Sequence, residues 1–416
     1  MNVSLLKTPG LYKDGIKKMD WALNYMPVTR YILEDYQKTK PLAGLKVVTT
    51  MRVDAKMGNF ARVLKAAGAQ VYVSSSSPQA VEDDVVAGLY NEGINVFAQS
   101  NVSQEIYKRQ LMAAVECNPN IMIDTSGDLM TLLHNECKVN SKEIIGGCEE
   151  TTTGIRRAKA RAQAGKLDYP IIATSNAKCQ ALFDDRYGTG QSVWSSIMSA
   201  TNLMLAGKNV VVAGYGWCGR GVALRAMGLG ANVIVCEVDP VKALEASMDG
   251  CTVMVMDRAA KLGDVFVTVT GCKDVIKKEH FSAMKDGALL TNAGHFNVEL
   301  NVGDLQELSV DKKTAGDKLE TYTLKDGRKL NLLGEGRLVN LVISEGGAAE
   351  ALDLGFAIQA KSAVYIAQNY EKLKNIVYEI PREIDYDVAA IKLNSRNIRI
   401  DELTKMQSDY LKSWED

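Results

Sequence analysis

Short β-branched runs alternate with Ala-rich, helix-period stretches through the first half of the chain. LKVVTT (45–50) predicts a strand, a helix follows near 56–67, and AQVYVSS (69–75) predicts the next strand. INVFAQ (94–99), NIMIDT (120–125) and YPIIAT (169–174) continue the rhythm, with helical spacing between them. Strand, helix and strand in succession imply a parallel sheet covered on both faces. RYGTGQS, after Asp185, reads as a loop, and SVWSSIMSATNLMLAG (192–207) reads as a helix closed by Gly207 and leading into a second domain. That domain repeats the pattern with NVVVAG (209–214), ANVIVCEVD (231–239), CTVMVM (251–256), VFVTVTG (265–271) and ALLTNAG (288–294). Five evenly spaced strands suit a nucleotide-binding sheet. A polar stretch at 310–328 follows, then KLNLLGEG, RLVNLVIS and a long Ala-rich helix at about 348–367. The last 30 or so residues read as an arm or small helical tail.

Composition narrows the class. A length of 416 residues, 46% of them hydrophobic and 24% charged, allows two or three globular domains. Forty-nine basic residues against 50 acidic leave a net charge of -1, so no global field draws in nucleic acid or an anionic membrane. Eight cysteines form no CxxC pair, and only His134, His280 and His295 supply imidazoles. No metal site is expected, and a reduced, cytoplasmic setting is favoured. The opening MNVSLLKTPGLYKDGIKK lacks the apolar core of a signal peptide, and the longest apolar runs are strand-sized.

The sharpest chemistry lies in Gly214-Tyr215-Gly216-Trp217-Cys218-Gly219, a GxGxxG placed directly after a predicted strand and opening a predicted helix. Gly214 permits the tight turn, Gly216 lets backbone approach a pyrophosphate, and Gly219 allows close helix packing. Glu237 ends the next strand, where a carboxylate accepts hydrogen bonds from ribose hydroxyls and repels a 2'-phosphate, so NAD is favoured over NADP.

Around this loop the chain resembles the adenosylhomocysteinase family of the archaeal and thermophile type. The strings that carry the resemblance are CEETTTG (148–154), LFDDRYGTGQS (182–192), VVVAGYGWCGRG (210–221), TGCKDVI (270–276), NAGHFNVE (292–299) and LLGEGRLVNL (332–341). The resemblance implies two Rossmann-like, doubly wound parallel-sheet α/β domains, the NAD domain inserted into the substrate domain, and a homotetramer. The corresponding spans are 1–188 for the first part of the substrate domain, 189–345 for the NAD domain, 346–385 for the return, and 386–416 for a short arm. It also implies a chemistry: NAD oxidises a ribose 3'-hydroxyl, the ketone makes the C4' proton acidic, the 5'-thiolate leaves, water adds, and the hydride returns. The substrate is then a nucleoside-like small molecule.

Carried over position by position, the resemblance assigns Thr151, Thr152, Thr153, Glu237, Thr270 in the 268–271 turn, Asn292 and Asn340 to the cofactor, beside the glycine loop. Glu150, Asp184 and His295 match the groups around the sugar. Four positions depart. Gln180 stands for the catalytic Lys, and an amide cannot take a hydroxyl proton. Arg52 stands for the N-terminal His, and Thr125 for an Asp. Gly346-Gly347-Ala348 replaces the Gly-His-Pro that closes over the base. Arg52, at a strand's C-terminal end, either binds an anion or pairs with Asp54. Lys178 is expected to face away from Gln180. Glu345 reads as a new polar contact or a solvated loop acid, and Cys148, Cys218 and Cys272 as packed thiols. These departures leave open two other outcomes: different 3'-keto nucleoside chemistry, such as epimerisation or 5'-dehydration, or a non-catalytic NAD-binding paralogue.

Overall fold

The computed structural model describes residues 8–414. Part of the N-terminal stretch and the last two residues of the expected arm therefore lie outside the described residues. Six strands open a first sheet: β1 Lys46–Met51, β2 Gln70–Ser75, β3 Asn95–Phe97, β4 Ile121–Asp124, β5 Gly146–Glu149 and β6 Ile171–Ala173. The chain then leaves to build a second sheet from β7 Asn209–Ala213, β8 Asn232–Cys236, β9 Thr252–Val253, β10 Val265–Thr268, β11 Leu289–Asn292, β12 Ser309–Gly316, β13 Leu319–Leu324 and β14 Lys329–Leu333. It returns through the helix Ala349–Asn369 to add β15 Val377–Glu379 to the first sheet.

The first sheet runs β15-β6-β5-β4-β1-β2-β3, parallel throughout. The second runs β12-β13-β14-β11-β10-β7-β8-β9, and its parallel part has the same doubly wound order. Successive side chains of one strand serve opposite cores, as a sheet covered on both faces requires. Val47 of β1 packs with the helices of one face and Val48 with those of the other. Val210 and Val212 of β7 likewise part from Val211.

Several sequence expectations need correction. The second sheet is not purely parallel, because the polar stretch folds as an antiparallel β12–β13 hairpin on its exposed edge. CTVMVM gives only the two residues of β9 before a helix begins at Met256. The bridging helix stops at Thr201, where Asn202 turns left-handed (φ 51°), and not at Gly207. RYGTGQS is no loop: the chain winds as a wide π-helix over Gln180–Thr189 and continues as the α-helix Gly190–Thr201. Its glycines serve packing. A Cβ on Gly188 would press on Ala351, and one on Gly190 would meet the Gly221 backbone of the helix Trp217–Gly228. The boundary at 386 falls inside the helix Arg382–Ser395, whose Val388 and Ile391 belong to the first core. Among the described residues, no helix is long and apolar enough to cross a membrane.

Candidate functional site

The C-terminal ends of β1, β4 and β5 carry a compact polar cluster, where open parallel sheets place their ligands. Glu150 follows β5. Its carboxylate accepts from Thr125 Oγ1 (2.7 Å) and from Gln359 Nε2 (3.1 Å), while Gln180 Nε2 donates to its carbonyl (3.2 Å). Thr125 follows β4, Gln180 opens the π-helix, and Gln359 lies mid-way along Ala349–Asn369. Gln180 is buried, and its Oε1 has no partner among the described residues.

Asp184, one turn further along the π-helix, faces Gly188 and Gly347. Burial first, then the negative charge of Glu150, raises its pKa to about 7, against the opposing pull of Lys56. Asp185 is pushed up by burial, Asp184 and Glu150. Burial raises the pKa of Glu150 too, although hydrogen bonds from Thr125 and Gln359 favour its charged form. A group of acids that burial and mutual repulsion hold near neutrality is suited to taking and returning protons.

Asp54 caps the helix Ala55–Ala66 through the N–H groups of Lys56 and Met57, both at 3.0 Å. Its carboxylate pairs with Arg52 Nε (3.2 Å) and Lys56 Nζ (3.0 Å). Arg52 thus takes the ion pair weighed above, and it also donates to the Leu341 carbonyl (2.9 Å). Lys56 donates to the Glu345 carbonyl (2.6 Å). The backbone of Glu345 is what the cluster uses; its side chain is exposed. Lys178 is exposed, facing away as expected.

The glycine loop fits a dinucleotide. Gly214 takes φ +103°, closed to most side chains, and a Cβ on Gly219 would run into the Gly214 carbonyl. Gly216, at the N-cap of Trp217–Gly228, faces open space: no atom lies within 4 Å of a Cβ built there. Glu237 gathers the N–H groups of Tyr215 (2.7 Å), Val238 (2.7 Å) and Asp239 (3.1 Å). Burial favours its neutral form, but these donors outweigh it and lower its pKa, keeping a carboxylate at the end of β8. Asn340 gives its amide to Ser192 Oγ (2.9 Å) and leaves a buried Oδ1 without a partner among the described residues, an acceptor suited to a ligand's amide.

The other assigned positions divide between hydrogen bonds within the protein and exposure to solvent. Thr151 caps the helix Thr152–Gln163 by accepting from Gly154 N (3.0 Å), and it binds Glu149 Oε1 (2.8 Å). Thr152 is exposed, and Thr153 lies across from Gly271. Asn292 donates to the carbonyls of Gly294, Phe296 and Gly336 and accepts from Thr268 and Gly294, which shapes the loop that carries His295. Thr270 binds Glu299 through both N and Oγ1 (2.9 and 2.8 Å). His295 is half-buried; burial lowers its pKa, Asp128 opposes and Arg157 assists, so a neutral ring is favoured. Its loop docks on the first domain, with the Arg157 guanidinium 5.1 Å from the Phe296 ring centroid. Burial pushes up the thiols of Cys148 and Cys218; Cys148 is packed as expected, and Cys218 is half-buried. Cys272 is exposed, a correction that follows from its place at the open tip of the 268–272 turn.

Sequence reasoning did not single out Lys56, Gln359 or Glu299. Gln359 offered one signal, a polar residue inside an Ala-rich helical face. Glu299 ends the NAGHFNVE string and binds Gly271 N at 2.7 Å.

The profile described as "S-adenosyl-L-homocysteine hydrolase" matches residues 6–145, and that described as "S-adenosyl-L-homocysteine hydrolase, NAD binding domain" matches 185–346. The chain is 50% identical to the adenosylhomocysteinase of Pyrococcus abyssi, over 99% of this chain and 97% of that protein. It is 50% identical to that of Aquifex aeolicus over 99% and 98%. It is 48% identical to the S-inosyl-L-homocysteine hydrolase of Methanococcus maripaludis over the full length of both.

Proposed function

The chain belongs to the S-adenosyl-L-homocysteine hydrolase family, whose members bind NAD, and from that premise we propose that it cleaves the 5'-thioether of an S-nucleosyl-homocysteine by way of its ribose 3'-position. Either adenine or hypoxanthine as the base agrees with the relatives' names. One observation carries the reading: the site's carboxyls lie against the dinucleotide loop. Cys218, inside GYGWCG, feels the charges of Asp185 and Asp184, and Gly190 and Gly221 seat the Asp184-bearing helix on the loop's own helix.

NAD, when bound, supplies reversible hydride acceptance at a hydroxyl-bearing carbon. The glycine loop, Glu237 and Asn340 are the residues that would hold it. Glu150, fixed by Thr125 and Gln359, presents an oriented carboxyl to the sugar. Asp184, with its pKa near 7, exchanges a proton with a substrate hydroxyl, and the neutral His295 ring serves as an acceptor from the other domain. Arg52, spent on Asp54 and Leu341, positions the linker and does not act as a base. Exposed Val241, Leu244 and Met248 on one helix, with Met406, Tyr410 and Trp414 of the tail, support assembly as a homotetramer.

A second reading, 3'-keto chemistry without thiol release, draws on Gln180, a buried amide where the family has its Lys. Purified protein with NAD+ is incubated with S-adenosylhomocysteine, S-inosylhomocysteine and adenosine while free thiol and NADH absorbance are followed. Thiol release from either thioether is the expected result. NADH without thiol would favour the second reading, and neither signal despite saturable NAD binding would leave a non-catalytic paralogue.

A further inference from the structure

Asp124 and Glu149 end neighbouring strands and leave the same face of the sheet. β4 and β5 pair in parallel with Asp124 opposite Glu149, which sets their Cα atoms about 4.8 Å apart. The two residues are 0% and 2% exposed. Among the described residues, no Lys, Arg or His nitrogen lies within 4.0 Å of either carboxyl. Arg157, on the adjoining helix Thr152–Gln163, is taken by Asp128 (2.8 Å) and by the Ser126 carbonyl (2.9 Å). The other titratable groups whose charge is felt around the pair are Asp128, Tyr107, Tyr169 and Cys148, none of them a cation.

What these carboxyls hold is the pair of turns that carries Thr125 and Glu150. Asp124 accepts from Thr50 Oγ1 (2.7 Å), Thr125 N (2.9 Å) and, through its other oxygen, Met130 N (2.7 Å). Glu149 Oε1 accepts from Thr151 N and Oγ1 (both 2.8 Å) and reaches across to Ser126 N (2.9 Å). The Asp124 carbonyl completes the tie by accepting from Glu150 N (3.0 Å). Ser126 needs such a tie, because it stands at φ +74°, in the left-handed region that residues other than glycine rarely enter. With the turn bent this way, Thr125 Oγ1 meets Glu150 Oε2 at 2.7 Å. Gly154 gives Glu149 its room, since a Cβ there would lie 2.1 Å from the carboxyl carbon.

Two like charges so close, buried and without a counter-ion, do not both ionise. Burial, and for Glu149 then the charge of Asp124, raises both carboxyls above their ordinary range. We propose that Asp124 and Glu149 share one proton and one negative charge, and that as such a pair they are positioning residues that lock the turns of Thr125 and Glu150 into the arrangement the site uses. The proposal rests on the reading of Glu150 as the carboxyl presented to the sugar. A doubly ionised pair would push the two strand ends apart. A doubly protonated pair would set O–H donors against the backbone N–H groups it now satisfies.

Infrared spectroscopy counts the proton without any turnover. At pH 8, the spectrum of NAD-loaded wild type minus that of the Asp124→Asn/Glu149→Gln double variant should contain the stretch of one protonated carboxyl, moved by D2O, and the bands of one carboxylate. Two carboxylates or two protonated acids in that difference overturn the proposal. If the double variant does not fold, Glu149→Gln and Asp124→Asn are subtracted singly, and a carboxylate lost in both overturns it. Positioning is read on thiol release, with melting temperature measured in parallel. Glu149→Leu keeps the bulk without an acceptor and should lower kcat about tenfold to a hundredfold, the cost of a small misplacement, with less effect on KM. Glu149→Gln, whose carbonyl still accepts from Ser126 and Thr151, should recover most of it. No loss in Glu149→Leu, or an equal loss in both variants, overturns the positioning role. Asp124→Asn takes the place of Glu149→Leu if the latter does not fold. A wild type that releases no thiol refutes the hydrolase reading alone; the same comparison is then made on calorimetric affinity for adenosine and inosine, and a wild type that binds neither overturns the positioning role as well.

Discussion

Replacing Asp184 by Asn isolates the cost of ionising a carboxyl within the cluster. Burial and Glu150 raise its pKa from 3.8 to about 7. The unfolded chain ionises near the lower value, so a raised carboxyl costs nothing below it and its full penalty above the folded value. One pKa unit is worth about 1.4 kcal/mol, so the penalty is on the order of 1–2 kcal/mol at pH 5 and levels off at roughly 4 kcal/mol above pH 7. Asn has nearly the shape of the protonated acid and does not titrate. The variant should therefore exceed wild type in stability by an amount that grows as pH rises across this window. Urea denaturation of the NAD-free chain, followed by tryptophan fluorescence in half-unit steps from pH 5 to 8, measures the difference. A gap that stays constant with pH would falsify the assignment. A gap that shrinks as pH rises would mean that Asp184 is held as an anion by a cation, and the site's charge order would need rebuilding.

The cofactor side gives two further predictions. Glu237→Ala removes a carboxylate that gathers three backbone donors at the end of β8, and NAD affinity measured by calorimetry should fall by about tenfold to a hundredfold; unchanged affinity sinks its assignment to the ribose. Gly219→Ala places a methyl against the Gly214 carbonyl, backbone that cannot give way cheaply, so about 1–3 kcal/mol of stability and most of the co-purifying NAD should be lost. Retention of both by denaturation and nucleotide assay would show that the loop and its helix tolerate separation.

Local covalent constraints were legible in the sequence, and long-range ones were not. VVVAGYGWCG announces a strand, a turn and a helix because the roles of its glycines are written in neighbouring residues, and the structure seats each one accordingly. β5 was missed because GGCE lacks β-branched residues. Its glycines make room for Ile366, Met122 and Ile171, which arrive from other elements. The β12–β13 hairpin was missed because an exposed edge strand such as SVDKKTAG shows no apolar alternation. RYGTGQS misled for the opposite reason: glycine there signals close helix packing, which resembles a turn when only neighbours in sequence are considered. In the site, Glu150 and Asp184 were found from their motifs. Lys56 and Gln359 became visible only when contacts spanning 289 and 209 residues closed around them.

The insertion of the second sheet between β6 and β15 has a consequence for how the protein is made. The first core is not complete at its own last early strand, because Leu354, Phe356, Ile358, Ala363 and Ile366 of the return helix and Val388 beyond it are part of that core. During synthesis these residues emerge only after β7 to β14 are already outside the ribosome. The usual N-terminal-first order is therefore inverted for this chain. The domain in the middle can finish while the one that began first waits, half-covered, for its closing helix. Until the return helix has been made, the apolar face of β4 and β5 lacks the cover that Ala349–Asn369 gives it, and through that interval the nascent chain carries an open core face that other apolar surfaces can reach.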